Sequence, residues 1–392
     1  MIISKDISCL SENDRYLYID MRPHLDVVLK YAPWEDGLII YRQTDSGWEI
    51  DNSDPNLSLL GPEHETDPDL PVNQFIRSIP EDIRVIVSRF DHLQTKLLQL
   101  LALSDAARDL VHDIPLLLWL VADYAQNNDI FIDDIKVLLK EKRVEILTRI
   151  IGVQCGEVDV KFLKKIKPTQ FNHRQLHFIK HYLYSNRTRE FRYWKEIPYD
   201  ALVILKNHRD LTSCRFIQLL ADGNYKAMAV IRPNRTAIIN LINDTVCMGR
   251  NLGVVIPMTF INKCASLAEL QALHNKWVRK FNAREIVIKR LIPFPEPPIP
   301  GTPNIAPIQN EGELLHEGRF MKHCVGGYAR KIHAGQSYIY RVLQPERATL
   351  EIRGRDSSVH IGQFSLELNG KPSRETYLEV VLWIENFKKN LC

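Results

Sequence analysis

The stretch Asn310-Glu-Gly-Glu-Leu-Leu-His-Glu-Gly-Arg-Phe-Met-Lys-His-Cys-Val-Gly-Gly-Tyr328 carries more information about fold and function than any other part of the chain. Asn310, followed three residues later by Glu313, is a capping-box-like start, because Asn310 can accept the first free amide hydrogens and Glu313 can reach back. A helix is therefore expected through about Lys322, ended or kinked by Gly326-Gly327. A second short helix is expected over residues 328–334, closed by Gly335. Beyond it, the apolar patterning predicts three strands, over 337–343, 348–353 and 359–368. Asn369-Gly370 supplies a turn, and Ser373 caps a last helix whose Tyr377, Val380, Val381, Ile384 and Phe387 share one face. Residues 301–392 thus read as an α+β module with the order helix-helix-β-β-β-helix.

Working outward, Pro293-Phe-Pro-Glu-Pro-Pro-Ile-Pro-Gly-Thr-Pro303 holds six prolines, which forbid helix and favour an extended path. A boundary is expected there. Residues 223–300 otherwise read as a hairpin, with Ala227–Ile231 and Thr236–Asn240 flanking Pro233-Asn234, then a helix over 266–281 and a strand over 286–292. From 71 to 222 the period is helical, as Ile83, Val87, Phe90, Leu93, Leu97 and Leu101 show. Lys165-Ile-Lys-Pro with Gln175-Leu-His-Phe-Ile179, and Leu205-Lys-Asn-His with Arg215-Phe-Ile-Gln-Leu219, about forty residues apart, suggest a repeat-like array of paired helices. Residues 1–70 read as a small strand-containing cap around Tyr16–Asp20 and Leu38–Arg42, followed by a linker. From Asp51 to Asp69 that linker has six acidic residues and no Lys or Arg, the composition of a solvated loop. The expected fold class is α+β and multidomain, with an all-helical middle.

At 392 residues, two or three domains are expected. Basic and acidic residues nearly balance, 51 against 48, so any nucleic-acid or membrane partner must be recognised locally. No stretch approaches the ~18 uninterrupted apolar residues of a membrane span, and no signal layout opens the chain. Seven scattered cysteines without a Cys-x-x-Cys pair point to reduced thiols and a cytoplasmic location. No cofactor and no metal ligand set is assigned from the sequence.

The C-terminal region resembles the PcfJ-like family, encoded on plasmids, phages and bacterial chromosomes. The resemblance rests on Pro300-Gly301-Thr302, Glu317-Gly318, Met321, His323-Cys324-Val325 with Tyr328, Gly335, Tyr340-Arg341-Val342, Arg347-Ala348-Thr349-Leu350, and Gln363 before Asn369. It spans about residues 293–383. Two departures stand out: Lys322 occupies a position where a second His is common, and Ser365-Leu-Glu367 replaces a more glycine-containing link. The resemblance implies a domain and a site rather than an enzyme class, with Glu317, Tyr328, Arg341 and Thr349 among the expected substrate-binding residues.

Three chemistries are open to His323-Cys324. A thiol placed before a helix N-terminus and beside a base becomes a nucleophile. On a regular helix, adjacent residues do not share a face, so Cys324 would borrow its base, with His360 the candidate. Alternatively, His323 moves protons while His316, seven residues earlier, Arg319, Gln363 and Asn369 hold a phosphate or base. The third possibility is purely structural, with a packed thiol and a His bonded to a neighbour.

Elsewhere, His173, His177 and His181 share one helical face and suit either a metal or solvent. Lys164, Lys165, Lys167, Arg174, Arg187, Arg189 and Arg192 alternate with Phe171, Phe178, Tyr182, Tyr184, Phe191, Tyr193 and Trp194. That mixture fits phosphate contact with base stacking, or a solvated face over core aromatics. The expectation is a nucleic-acid-associated protein of mobile-element or defence context, binding DNA or RNA and protein partners. A thiol-dependent hydrolase or transferase and a non-enzymatic interaction module are the alternatives.

Overall fold

The computed structural model describes residues 7–11, 15–22, 25–51, 57–61, 70–167, 170–221, 225–284 and 292–390. They form two compact units, residues 1–207 with 219–228, and residues 208–218 with 229–392. Among the described residues, no helix is long and apolar enough to cross a membrane.

The first unit opens with a five-stranded antiparallel meander, β1 (Ser8–Leu10), β2 (Leu17–Asp20), β3 (Val28–Tyr31), β4 (Ile40–Thr44) and β5 (Gly47–Ile50), paired in chain order. The two-residue alternation of strands buries Leu17, Ile19, Leu29, Tyr31 and Ile40. It sets Cys9, Tyr18, Lys30, Tyr41 and Ile50 opposite one another in a row on the other face. The sheet belongs with the helices: Gln99 Nε2 donates to the Leu38 carbonyl at 3.0 Å. The expected solvated linker is also docked where it is described. Leu57, Leu59 and Leu60 are buried, and the Leu60 amide donates to Gln94 Oε1 at 2.7 Å.

Short helices follow, including Gln94–Leu103, Pro115–Asn127 and His173–Tyr184. Trp119, Phe90 and Phe171 stack into one core cluster with ring centroids 4.8–5.3 Å apart. The forty-residue similarity corresponds to equivalent elements only in its second half, where Gln175–Ile179 lies in the helix His173–Tyr184 and Arg215–Leu219 in the helix Arg215–Ala221; its first half does not. Lys165 ends one helix and Ile166–Lys167 is a short strand, whereas Leu205 lies within the helix Tyr199–Asn207.

In the second unit the expected hairpin over 227–240 is wrong. A single helix, Tyr225–Asn251, runs through it. Pro233 and the β-branched residues on either side resemble two strands and a turn, but Asn240, Asn243, Asp244, Cys247, Arg250 and Asn251 recur at three- and four-residue steps, the helical period. The expected strand over 286–292 falls almost wholly on residues 285–291, outside the described residues. The helix expected at 266–281 is present as Leu267–Asn282, capped by Ser266.

The C-terminal module follows its sequence closely. Its helices are Glu311–Phe320, capped by Asn310, then Ala329–His333 and Arg374–Lys389, capped by Ser373. The strands are Tyr338–Val342, Ala348–Arg353 and His360–Ser365. A fourth, Ile305–Pro307, escaped the sequence reading because it is short and ends in proline. Here these are numbered β8 (Ile305–Pro307), β9 (Tyr338–Val342), β10 (Ala348–Arg353) and β11 (His360–Ser365), β6 (Ile166–Lys167) and β7 (Ile197–Pro198) being the short pair of the first unit. The antiparallel sheet has the order β11-β10-β9-β8. The proline run is no free linker. Ile299 is buried in the sheet's core, and its carbonyl accepts from Tyr340 Oη at 2.8 Å.

The first helix of the module ends earlier than the glycine pair suggested. Lys322 adopts φ 51°, and Cys324–Gly327 form a separate tight turn after an extended His323. Glycine is needed for packing instead: a Cβ on Gly318 would lie 2.7 Å from the Gly326 amide nitrogen. Since that neighbour is backbone and cannot swing aside, Gly318→Ala is expected to destabilise the second unit by about 1–3 kcal/mol, measured by chemical denaturation. An unchanged midpoint would contradict the close approach.

Candidate functional site

Strand β10 positions the site by alternation. Ala348, Leu350 and Ile352 face the core shared with the last helix, so Thr349, Glu351 and Arg353 face the other way. On that side they meet the turn carrying His323 and Cys324. The pairing of β10 with β11 shifts register next to Glu351, leaving Gly362 as the extra residue. A side chain there would collide with Glu351 and Arg353, so the bulge makes room for their pair, Arg353 Nη2 to Glu351 Oε2 at 2.8 Å.

The first network centres on Glu317, whose side chain is 0% exposed. Arg347 donates to it, Arg341 Nε lies 3.4 Å away, and the Thr349 hydroxyl donates to its other oxygen. With its proton committed to Glu317, Thr349 can only accept from His323 Nε2, 3.0 Å away. The network therefore assigns His323 the neutral tautomer with the proton on Nε2. Burial pushes its pKa down to about 4; Glu317 opposes the shift and Arg347 adds to it.

A second network runs through Tyr328. Its hydroxyl donates to Asp244, a buried residue of the helix Tyr225–Asn251. Gln363 Nε2 donates to Asp244 Oδ2 at 2.8 Å and to the Tyr328 hydroxyl at 3.2 Å. Lys331 Nζ sits 3.7 Å from Asp244 and 3.9 Å above the Tyr328 ring. Cys324 Sγ is 3.7 Å from the Tyr328 hydroxyl. Because that hydroxyl already donates to Asp244, the thiol is the donor. Burial, reinforced by the Asp244 charge, holds the thiol well above its usual pKa. This is the opposite of what a nucleophile needs. The pocket bordered by His323, Cys324, Tyr328, Thr349, Gln363 and Asn369 holds about 20 Å³, room for one water molecule rather than a substrate.

Beside this packed centre lies an open cleft of about 500 Å³, lined by Asp244, Arg250, Arg330, Lys331, Glu351, Arg353 and Gln363, with Asn240, Asn243, Asn251 and Gln336. Gln363 and the Asp244 network join the cleft to the His323-Cys324 turn.

The sequence-derived site residues therefore separate. Glu317, His323, Thr349 and Arg341 meet in one network, and Cys324, Tyr328 and Gln363 in the other. Asn369 borders the small void. His360 is exposed and bonds the Ser358 carbonyl at 2.9 Å, so it is not brought to Cys324. His316 does not join His323, because the helix has ended between them; it is exposed and stacks near Phe320. Arg319 Nη2 donates to the Arg284 carbonyl at 2.7 Å, away from both networks. Asp244, Lys331, Arg347, Glu351 and Arg353 were missed. The polar three-four spacing around Asp244 was the available signal.

Lys322 and the Ser365–Glu367 link touch each other. Lys322 bonds Glu367, and the Leu368 amide donates to the Met321 carbonyl at 2.9 Å. In the first unit the basic-aromatic stretch is largely structural. Phe171, Tyr182, Phe191 and Trp194 are buried. Lys164 pairs with Asp113 at 2.7 Å, Lys165 Nζ donates to the Arg192 carbonyl at 2.7 Å, and Arg187 pairs with Glu190 at 2.9 Å. Arg174, Arg189 and Arg192 are exposed, with Arg192 beside Tyr193, which is 90% exposed. The side chain of Lys167 lies outside the described residues.

Two outcomes follow from this chemistry. His323 is held neutral in the folded chain, with its pKa below the ordinary 6.5, so its contribution to stability is complete above pH 6.5 and is lost as pH falls toward 4. The loss is about 3 kcal/mol, and His323→Gln should flatten this part of the stability profile, measured by denaturant unfolding across pH. Iodoacetamide should modify exposed Cys9 well before Cys324 under native conditions; preferential labelling of Cys324 in peptide mapping would reverse the assignment of a protonated, packed thiol. Comparison with protein-family models, curated proteins and solved structures finds no match for this chain.

Proposed function

We propose that the protein binds nucleic acid through the open cleft of its second unit. The reading rests on one observation: Arg250, Arg330, Lys331 and Arg353 line a cleft of about 500 Å³ in which they outnumber the two carboxylates, Asp244 and Glu351. Asp244 is held by Tyr328 and Gln363, and Glu351 by Arg353 and Ser337. Arg250 and Arg330 are exposed and come from two different helices, the Tyr225–Asn251 helix and the Ala329–His333 helix. Cations flanked by carboxamides provide phosphate contacts together with hydrogen bonds to sugar or base edges. His323 and Cys324 act as positioning residues, holding the wall from which Gln363, Glu351 and Arg353 project. The resemblance to the PcfJ-like family supports a mobile-element or defence setting for this binding.

The test is binding of single- and double-stranded DNA and RNA at two salt concentrations. Affinity should fall steeply with salt. Arg250→Glu combined with Arg330→Glu should weaken binding about tenfold or more and reduce the salt slope by about one for each phosphate no longer neutralised. Binding that is absent, or insensitive to both salt and the substitutions, would sink the proposal.

A further inference from the structure

The first unit contains a second cleft, of about 610 Å³, between the turn at His92 and the helices Pro115–Asn127 and His173–Tyr184. His173, His177 and His181 follow one another at single-turn spacing along one face of the latter helix. His92 stands across from them, with its ring centroid 5.0 Å from that of His173 and the planes perpendicular. Lys180 Nζ bonds Asp123 Oδ2 at 2.6 Å, and Asp123 is the one carboxylate among the lining residues. Two further observations mark the place as built for a ligand. The carboxamide oxygen of Gln126, a residue of the cleft's wall, is buried and meets no donor, an uncommon state for a buried polar atom, and a ligand reaches it only if the carboxamide turns. Leu93, adjacent to His92 and buried, holds φ 62°, a left-handed conformation costly for a branched residue and retained where the surroundings impose it.

The chemistry favours an anion. Among the described residues, no group of three or more His, Cys, Asp or Glu is arranged to hold a metal ion. His173, His177 and His181 are instead strung along one helix in the cleft wall, beside Lys180. Turned toward the cleft, the Gln126 carboxamide would satisfy its oxygen with a hydroxyl or an amino group of the same ligand. A cleft of this size suits a small organic molecule rather than a bare ion.

We propose that this cleft binds the phosphate monoester of a nucleotide, with His173, His177 and Lys180 on the phosphate oxygens and Gln126 on a hydroxyl or amino group of the nucleoside. The phosphate belongs either to a free nucleotide or to the 5′ end of a strand. The charged groups facing the rings are Asp123, Lys180, Arg187 and Lys206. Burial lowers the pKa of His92, with His173 adding to the effect. Burial also lowers that of His181, with Lys206, Arg187 and His177 contributing. Binding of a dianion draws protons onto such rings, so affinity rises as pH falls toward the range below 6.5 in which His92 and His181 protonate.

The experiment follows histidine ring resonances of the full chain by NMR, and affinity by calorimetry. The probes are adenosine 5′-monophosphate, adenosine, and a tetranucleotide with and without a 5′-phosphate. The monophosphate is expected to shift the cleft histidines and adenosine is not. A tetranucleotide that binds only when 5′-phosphorylated assigns the strand end, and binding of the mononucleotide alone assigns the free nucleotide. His177→Ala, a substitution of an exposed residue that the fold tolerates, should weaken binding at least tenfold, as should Lys180→Met. The proposal is overturned if neither phosphorylated probe binds, if adenosine binds as well as its monophosphate, or if His177→Ala leaves affinity unchanged. This readout is separate from polymer binding at the C-terminal cleft, so either proposal can fail without the other.

Discussion

A carboxylate with no access to solvent organises the second unit. An isolated buried charge costs far more than a fold can tolerate unless it is paired and hydrogen-bonded. Glu317 meets that condition through Arg347, Arg341 and Thr349, drawn from two adjacent strands and the turn that joins them. The pairing ties the helix Glu311–Phe320 to β9 and β10 in one register, since a slip would leave the charge unmatched. It also turns the Thr349 hydroxyl, and through it the His323 ring. Replacement by apolar residues of equal volume need not weaken such a cluster. Its contribution is to specify one arrangement.

That arrangement explains how the neighbours His323 and Cys324 serve different networks. On a continuous helix they would point about 100° apart and neither would reach a partner among the strands. Lys322, in a left-handed conformation, stops the helix. His323 is then extended toward Thr349, and Cys324 begins a tight turn beneath Tyr328. The contact between Lys322 and Glu367 joins that stop to the short turn after β11. It is exposed and so contributes little stability, but it places the unusual lysine away from the buried network.

Much of the C-terminal module was legible because its signals are local. Asn310 and Ser373 start helices as side-chain caps, and the alternation in Ala348–Arg353 reports a strand with one apolar face. The helix Tyr225–Asn251 was misread because Pro233 and its β-branched flanks outweighed the polar spacing further along. Asp244 was invisible for a different reason: its partner Tyr328 lies 84 residues away, and no local pattern announces such a pairing. The basic-aromatic stretch misled in the other direction. Phe171, Tyr182 and Phe191 alternate with cations in sequence, yet they turn inward as core while Lys165 and Arg187 cap carbonyls.

Strand β10 carries apolar residues on one side and Thr349, Glu351 and Arg353 on the other, so a single backbone supports both the hydrophobic core and the polar networks. Its amides belong to one cooperative opening unit. Exposing the His323-Cys324 turn by separating β10 from its neighbours would melt the core of the module as well, and protection from hydrogen exchange along β10 should match that of the whole unit. Local fluctuation therefore offers no inexpensive route to the buried pair. A ligand approaching it with the strand left intact meets Gln363, Ser365 and Asn369 at the pocket's rim.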